Sequence, residues 1–260
     1  MIIEYRFYMD LKLESKNVLI VGSSKGIGRE IALAFAREGA VVTAIARNKE
    51  LLISLQEEMK QIHEADYKYY VCDLMSIDLT EFANQLLKER STFDVVVQNV
   101  GGSLVSRNAL GTLDEWEYAW KFNAGIAIAL NNVLIPPMIE RKWGRVIHIS
   151  SISAQMLRGN PLYASAKAFL NAYVTTVGRT VAASGVVMSA VMPGAVAFPG
   201  SYWDEYTRTD PVRCDDFLRH HQAAGRFGTT KEIADAVLFM ASEQASFMQA
   251  AVIPVDGANM

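Results

Sequence analysis

Short apolar runs alternate with longer helical patterns along this 260-residue sequence, and this alternation is the feature that most limits its fold. The runs are continuous rather than alternating in polarity, which is typical of strands buried on both faces. Strands of this kind separated by helices predict right-handed βαβ units and a parallel sheet covered on both sides. The predicted strands are 18–21, 41–46, 69–72, 95–97, 146–149, 186–192 and 251–255. The predicted helices are 27–38, 48–62, 78–90, 114–135, 162–183 and 230–242.

We therefore predict one doubly wound α/β domain over residues 10–260, with helices on both faces of the sheet. Residues 1–9 are interpreted as a dispensable N-terminal extension, because Met9 and the residues after it resemble a more natural start. The only long irregular stretch is about 193–228, and a loop of that length inside a compact domain is usually functional. We interpret residues 194–228 as a lid over a substrate.

Composition excludes several classes of function. The 25 basic and 28 acidic side chains give a net charge of −3 without a basic run, so we expect no nucleic-acid partner. Cys72 and Cys214 are the two cysteines, which predicts a reducing cytoplasm rather than a disulfide framework. The longest apolar stretch, residues 124–138, is short and interrupted by two asparagines and two prolines, so no membrane association is expected.

A glycine-rich turn follows the first predicted strand and opens the first helix. Glycines in the spacing Gly-x-x-x-Gly-x-Gly allow a tight turn and let the backbone approach a pyrophosphate at the helix N-terminus. This turn therefore predicts a dinucleotide site. Its candidate binding residues are Gly22, Ser24, Lys25, Gly26, Ile27 and Gly28.

The residues after the second and third strands indicate which dinucleotide is bound. A site for NAD places an acidic residue near the end of the second strand, but here that strand is followed by Arg47, and Lys25 lies in the glycine turn. Two cations and no anion favour NADP, with NAD as the alternative. Asp73 and Leu74 follow the third strand, where Asp73 either contributes to adenine recognition or serves as a helix cap or turn residue.

Tyr163 and Lys167 lie one turn apart on the same face of a predicted helix. They come after the fifth strand, whose end carries Ser150 and Ser151. Open parallel sheets place their sites at the carboxyl ends of the strands, so these side chains are candidates for the reacting group.

Taken in chain order, the motifs resemble those of the short-chain dehydrogenase/reductase family in its single-domain form, similar to the 3-oxoacyl-(acyl carrier protein) reductases. The resemblance covers about residues 10–260 and implies a Rossmann-like sheet. The matching positions are Gly22, Gly26, Gly28, Asp73, Asn99-Val100-Gly101, Asn123, Ser150-Ser151, Tyr163, Lys167, Pro193-Gly194 and Val255-Asp256-Gly257.

The resemblance implies a role for each member of a Ser-Tyr-Lys-Asn group. Tyr163 would be the general acid in reduction and the base in oxidation, and both Lys167 and an oxidised nicotinamide would favour its phenolate. Lys167 would also hold the nicotinamide ribose. Ser151 would bond the substrate oxygen, with Ser150 as the alternative serine. Asn123 would hold a water that links Lys167 to solvent.

The remaining implied positions surround the cofactor. Asn99 would brace the fourth strand and Gly101 would lie against the dinucleotide. Pro193, Gly194 and Val196 are also candidate cofactor-binding residues. The family usually has a threonine four residues after the glycine of this last motif, but Phe198 stands there in this sequence.

The stretch 198–221 is rich in aromatic and charged residues and fits either a substrate lid or a solvated pair of amphipathic helices. His220 and His221 have no evident third ligand, so we predict no metal site. Ser103 and Arg107 are further candidates for the pocket wall.

The leading interpretation is an NADP-dependent oxidoreductase that interconverts a carbonyl and a secondary alcohol of a small molecule. Two alternatives remain: a sugar-nucleotide epimerase or dehydratase, and a non-catalytic regulatory protein that binds a dinucleotide on the same fold. The resemblance also implies a homotetramer or homodimer, with the tetramer formed through helices 114–135 and 162–183.

Overall fold

Parallel strands form a seven-stranded sheet in the order β3-β2-β1-β4-β5-β6-β7. The computed structural model describes residues 9–103 and 109–259. The strands are β1 Asn17–Val21, β2 Val41–Ala46, β3 Lys68–Val71, β4 Val95–Gln98, β5 Gly144–Ile149, β6 Val186–Pro193 and β7 Val252–Val255. The predicted Rossmann-like parallel sheet is confirmed.

The strand order reverses between β1 and β4, and this reversal positions the site. The chain first moves outward from β1 to β3, then returns to pair β4 with the other side of β1. Val21 and Gln98 are partners at the carboxyl ends of these two strands, and the connections after them diverge. A crevice opens at such a switch point, and ligands of open parallel sheets bind there.

Helices cover both faces of the sheet, as the sequence predicts. The helices are α1 Gly26–Arg37, α2 Lys49–Ile62, α3 Leu79–Arg90, α4 Leu113–Trp120, α5 Ile126–Glu140, α6 Ser153–Met156, α7 Pro161–Val181, α8 Tyr202–Thr209, α9 Pro211–His221 and α10 Thr230–Ala241. Side chains of α1, α2 and α10 fill one core, and those of α3, α5 and α7 fill the other. Strands β1, β2, β4, β5 and β6 between them are buried on both faces, which explains their continuous apolar runs, whereas the edge strands β3 and β7 are only partly buried.

Two predicted regions differ from the structure. The helix predicted to end at residue 135 continues to Glu140 through Pro136 and Pro137, after a π-helical turn at Lys121–Gly125. The stretch 193–228 is not irregular, because it contains α8 and α9. Ser201 and Asp210 cap these helices, each accepting a hydrogen bond from a backbone N–H three residues later.

The continuous helical stretch Leu113–Glu140 is long and apolar enough to cross a membrane by length and composition alone. In the structure, α5 packs against α3, β5 and β6, and 56% of the most apolar window of this stretch is buried inside the protein. Its apolar character is therefore that of a core helix.

Candidate active site

The glycine turn after β1 is packed too closely to admit side chains. A Cβ on Gly28 would lie 2.0 Å from the Gly22 carbonyl oxygen, and Gly22 and Gly26 have φ of +89° and +57°. The Asn99 Nδ2 group donates to the Gly22 oxygen at 2.7 Å, so β4 braces the turn. The first residues of α1 have no side-chain cap, which leaves backbone N–H groups for an anionic ligand.

A cavity of about 820 Å³ extends from this turn along the carboxyl ends of the strands. Most of the predicted site residues line it: Gly22, Ser24, Lys25, Ile27, Arg47, Asp73, Leu74, Asn99, Gly101, Ser151, Tyr163, Lys167, Pro193, Gly194 and Val196. Within the part of the chain that the structure describes, Gly26, Gly28 and Asn123 lie behind the wall rather than on it. The size and shape of the cavity suit an extended ligand such as a dinucleotide.

The cations predicted to select the cofactor stand at one end of this cavity. Arg47 follows β2 and Lys25 lies in the glycine turn, and neither makes an ion pair within residues 9–103 and 109–259. Among the described lining residues, Asp73 is the sole carboxylate. This end of the cavity therefore offers positive charge to a ligand.

Asp73 forms the turn after β3. Its Oδ1 accepts a hydrogen bond from the Met75 N–H at 3.0 Å, and its carbonyl oxygen accepts from the Ser76 N–H at 3.0 Å. The turn interpretation is therefore observed. Because Asp73 also borders the cavity, its second carboxylate oxygen is available to a ligand.

Tyr163 and Lys167 enter the cavity from the first two turns of α7. Asn160 caps this helix by accepting from the Leu162 and Tyr163 N–H groups, and Pro161 occupies its first position. Lys167 is buried, and its Nζ donates to the Ile149 carbonyl oxygen at 2.8 Å. The same Nζ lies 5.9 Å from the centroid of the Tyr163 ring.

The two serines after β5 have different partners. Both serines line the cavity, and the Ser151 Oγ accepts from the Ser153 N–H at 3.1 Å. Ser151 also lowers the pKa of Tyr163 as a side-chain hydrogen-bond partner. The Ser150 hydroxyl donates to Asn171 Oδ1 of α7 at 2.6 Å. Ser151 is therefore the serine that meets the tyrosine.

Asn123 lies in the π-helical turn between α4 and α5. Its Oδ1 accepts from the Gly102 N–H at 2.8 Å, and its Nδ2 donates to the Ala119 and Gly102 carbonyl oxygens. A Cβ on Gly101, which has φ of +153°, would lie 2.6 Å from Asn123 Oδ1 and 2.8 Å from Lys167 Nζ. Asn123 and Lys167 thus meet against the backbone of Gly101.

Burial dominates the electrostatics of this group. It lowers the pKa of Lys167 to about 7, because desolvation penalises the ammonium. It also raises the pKa of Tyr163, which the hydrogen bond from Ser151 opposes. Desolvation is thus the largest influence on the Tyr163 pKa in the structure, and the expectation that Lys167 and an oxidised nicotinamide favour the phenolate stays a prediction.

The lid predicted at 194–228 is a helix pair with an aromatic core. The Trp203 ring contacts the Phe217 and Phe227 rings, with centroids 4.4 and 5.1 Å away. Trp203 and Phe198 both line the cavity, and the Phe198 ring packs against Gly26. The sequence left open a lid or a helix pair; the helix pair is observed, and a role as a substrate lid stays a prediction.

Other predictions for this region have mixed outcomes. Arg107 lies outside the described residues, and Ser103 is exposed and does not reach the described cavity wall. His220 contacts Asp216, and His221 contacts Arg158. The described residues contain no group of three or more His, Cys, Asp or Glu side chains that could hold a metal ion.

Sequence reasoning missed some contributors to the site. The Ile149 carbonyl anchors Lys167, and Phe122 and Ile126 line the cavity from the π-helical turn and α5. A backbone acceptor has no sequence signal of its own. The position of Ile149 at the end of β5, just before Ser150, is the one indication that the sequence offered.

Comparison with known proteins places the chain in a family. A family model described as Enoyl-(Acyl carrier protein) reductase matches residues 21–258. The 3-oxoacyl-[acyl-carrier-protein] reductase FabG of Chlamydia muridarum is 30% identical over 258 residues, which cover 96% of this chain and 99% of that protein. The chain belongs to the short-chain dehydrogenase/reductase family. It is therefore an NAD(P)-dependent oxidoreductase that acts on CH–OH or C=O groups.

Two solved structures of short-chain dehydrogenases/reductases extend this similarity to ligand complexes. L-sorbose reductase from Gluconobacter frateurii, complexed with NADPH and L-sorbose, matches with a TM-score of 0.87 and 26% identity over 96% of this chain and 98% of that one. A 7α-hydroxysteroid dehydrogenase complexed with NADH and 7-oxoglycochenodeoxycholic acid matches with a TM-score of 0.87 and 25% identity, covering 98% of both chains. The glycine turn and the uncapped start of α1 fit a nicotinamide dinucleotide in this chain as well.

Proposed function

We propose that this protein is an NADPH-dependent reductase that interconverts a small-molecule carbonyl and a secondary alcohol. The observation that carries the proposal is the meeting of Ser151, Tyr163 and Lys167 in the cavity that begins at the glycine turn. A proton donor and a dinucleotide cradle in one cavity provide the two components that carbonyl reduction needs.

The glycine turn would hold NADPH, which when bound would supply the hydride for the carbonyl carbon. The Tyr163 hydroxyl donates its proton to the carbonyl oxygen, and the Ser151 hydroxyl holds that oxygen in place. Lys167, fixed by the Ile149 carbonyl, stabilises the phenolate when its own amine is protonated. Because burial raises the pKa of Tyr163, its phenol carries the proton that the carbonyl oxygen receives.

Asn123 supports Tyr163 and Lys167 by fixing the backbone around them. Three hydrogen bonds to the Gly102 and Ala119 backbone fix the π-helical turn beside Gly101 and Lys167. The Asn123 Oδ1 has a second lone pair, which can accept a hydrogen bond from a water that lies between Lys167 and solvent. Proton resupply to Lys167 through such a water is part of the proposal.

The preference for NADPH rests on Arg47 after the second strand and Lys25 in the glycine turn, which make no ion pair with other described residues. The NADPH in the sorbose reductase complex supports this choice, whereas the NADH in the steroid dehydrogenase complex shows that the fold accepts either cofactor. In this proposal, the charge at this end of the cavity therefore decides between NADPH and NADH.

Replacing Arg47 with Asp tests the cofactor proposal. We expect the Kd for NADPH to rise by about 10-fold or more, since one charged contact to phosphate is lost and a repulsive one is added, while the Kd for NADH changes little. Lys49→Asp places the same charge change two residues away in α2 and serves as the control. An unchanged ratio of the two dissociation constants in Arg47→Asp would contradict the assignment.

The activity itself is tested by NADPH oxidation against a panel of acyl thioesters, sugars, quinones and steroids. An enoyl thioester belongs in the panel because of the description of the matching family model. Reduction of at least one carbonyl is expected. Turnover of the enoyl thioester alone would overturn the proposal of a carbonyl reductase.

Tyr163→Phe removes the proton donor and keeps the ring. We expect at least a 100-fold loss of turnover on the best panel substrate, with the Kd for NADPH within a few-fold of wild type. Ser150→Ala provides the contrast, because that hydroxyl points toward Asn171. Near-normal activity of Tyr163→Phe would exclude this mechanism.

We also infer a cytoplasmic homotetramer without nucleic-acid or membrane partners. The helices expected at the tetramer interface, α4–α5 and α7, expose the aromatic side chains of Trp120 and Phe169. Free thiols at Cys72 and Cys214 agree with a reducing compartment.

A further inference from the structure

A buried polar network lies behind the candidate active site, between the sheet and helices α5 and α7. Four side chains from four different elements form it: Gln98 of β4, Asn131 of α5, His148 of β5 and Tyr173 of α7. Asn131 is its centre. Polar side chains in a core cost stability unless they are hydrogen-bonded, so a network of this kind needs an explanation.

The contacts define the protonation of His148. Asn131 Oδ1 accepts from Gln98 Nε2 at 3.0 Å, so its Nδ2 is the group that faces His148 Nε2 at 3.0 Å and Tyr173 Oη at 3.2 Å. An amide N–H needs an acceptor, and therefore His148 Nε2 carries a lone pair. The proton sits on Nδ1, which donates to the Ser189 carbonyl oxygen at 3.2 Å.

Each member of the network is close in the chain to a site residue. Gln98 precedes Asn99, which braces the glycine turn, and His148 precedes Ile149, whose carbonyl anchors Lys167. Asn131 lies two helical turns beyond the π-helical turn, and Tyr173 lies six residues after Lys167 on α7. The network therefore ties together the elements that carry the reacting group.

We propose that Asn131 and Tyr173 are positioning residues that keep His148 neutral beside Lys167, so that the positive charge of this buried region belongs to Lys167. The proposal rests on the function proposed above, in which Lys167 acts on Tyr163. The groups facing His148 are the Asn131 amide, the Tyr173 hydroxyl, the Ser189 carbonyl and the charge of Lys167.

The electrostatics agree with this geometry. Burial lowers the pKa of His148 to about 4. The hydrogen bond to the Ser189 carbonyl opposes this shift, and the nearby Lys167 charge adds to it. Two cations would repel each other in this low-dielectric region, so a protonated imidazole would disfavour the ammonium of Lys167. A fixed neutral imidazole avoids this competition at neutral pH.

The first test is the protonation state of His148 in the full-length protein, followed by nuclear magnetic resonance of ¹⁵N-labelled histidine. The sequence has four histidines, and His148→Asn assigns the signal. We expect the Nδ1–H tautomer and no titration between about pH 5 and 9. An Nε2–H tautomer, or a midpoint near about 6.5, would overturn the proposal.

Two variants test the coupling without any substrate. Asn131→Asp offers a carboxylate to Nε2, so the titration midpoint of His148 should rise by about 2 pH units or more. Lys167→Met removes a repelling charge and should also raise the midpoint. A midpoint that is unchanged in both variants would show that neither residue controls His148. If Asn131→Asp does not fold, Tyr173→Phe gives the same test with the loss of one hydroxyl.

The last test is the pH profile of kcat for alcohol oxidation, in which the phenolate of Tyr163 is needed. With His148 protonated in Asn131→Asp, the acidic midpoint should rise by about half a pH unit or more, because the imidazolium disfavours the Lys167 ammonium that stabilises the phenolate. Thr176→Val, an exposed change on α7, should leave the profile in place. A superimposable profile would exclude a positioning role. If no substrate turns over, the proposed function fails, while the histidine measurements still decide the state of His148.

Discussion

Lys167 is a buried amine without a carboxylate partner among the described residues, and this determines how it affects both stability and catalysis. Its pKa falls to about 7 in the folded protein, whereas an unfolded lysine titrates near about 10.4. Between these values the unfolded chain binds a proton that the folded chain does not. Stability therefore rises with pH across this window, and the cost of burial is present in full below about pH 7.

Lys167→Met should consequently stabilise the protein near neutral pH. We expect the free energy of unfolding at pH 7 to increase by about 2 kcal/mol, because the desolvation cost exceeds the lost hydrogen bond to Ile149. The gain should shrink as the pH approaches about 10. Urea unfolding at both pH values measures this difference. A gain that grows with pH would contradict the assigned shift.

At the residue scale, the sequence predicted the members of the site better than their contacts. The spacing of Tyr163 and Lys167 on one helix, after a strand ending in two serines, was enough to predict that they meet. The partner of Ser150 was not predictable, because Asn171 lies two turns further along α7 and an isolated asparagine has no distinguishing pattern. The network around His148 escaped notice for the same reason.

At the scale of elements, the lid shows how tertiary packing completes a weak local signal. Helices α8 and α9 are short, and helices of this length are marginal on their own. Trp203 joins them by packing against Phe217 of α9 and Phe227 beyond it. Because Trp203 also borders the cavity, the packing of the lid and the shape of the substrate pocket depend on the same ring.

Trp203→Ala should loosen the lid without unfolding the sheet. We expect cleavage within residues 198–228 by a limiting amount of protease to become at least several-fold faster, and the KM of the carbonyl substrate to rise by about 10-fold. The Kd for NADPH should stay within a few-fold. Val212→Ala, at an exposed position of α9, is the matched control. Equal cleavage rates for the two variants would rule out Trp203 as the anchor.

Prediction of the elements failed where a local rule was overridden. The helix predicted to end at residue 135 continues through Pro136 and Pro137, although proline disfavours a helix interior, because α3 and the sheet bury the apolar side chains of α5. For the sequence of α8 and α9, a lid and a pair of amphipathic helices both stayed open, because its apolar residues are aromatic anchors rather than a regular stripe. The parallel strands were predictable, since burial on both faces leaves a continuous apolar run.

At the scale of the whole molecule, exposed aromatic side chains are the features on which we base the proposed surface between subunits. Phe169 of α7 is 46% exposed and Trp120 of α4 is 41% exposed, and their rings form an edge-to-face pair at 5.9 Å. Exposed aromatic pairs on neighbouring helices are typical of interfaces. They lie on the helices for which the sequence predicted assembly.

Phe169→Glu should weaken this assembly. A buried charge without a partner costs several kcal/mol at an interface, so we expect a smaller oligomer at micromolar protein concentration. Light scattering coupled to size-exclusion chromatography measures the mass. Val212→Glu introduces the same charge on the lid and should leave the mass unchanged. A wild-type protein that is monomeric would contradict the proposed tetramer from the start.

The π-helical turn at Lys121–Gly125 has a consequence for how this chain tolerates insertions and deletions. A π-helical turn holds one residue more than a regular turn, and each residue of a helix advances the side chains by about 100°. Deleting a single residue there would swing Asn131 a quarter-turn away from His148 and displace Asn123 from Gly102. Insertions and deletions within Lys121–Gly125 should therefore be far less tolerated than substitutions, although in the proposed mechanism no residue of this turn reacts with substrate.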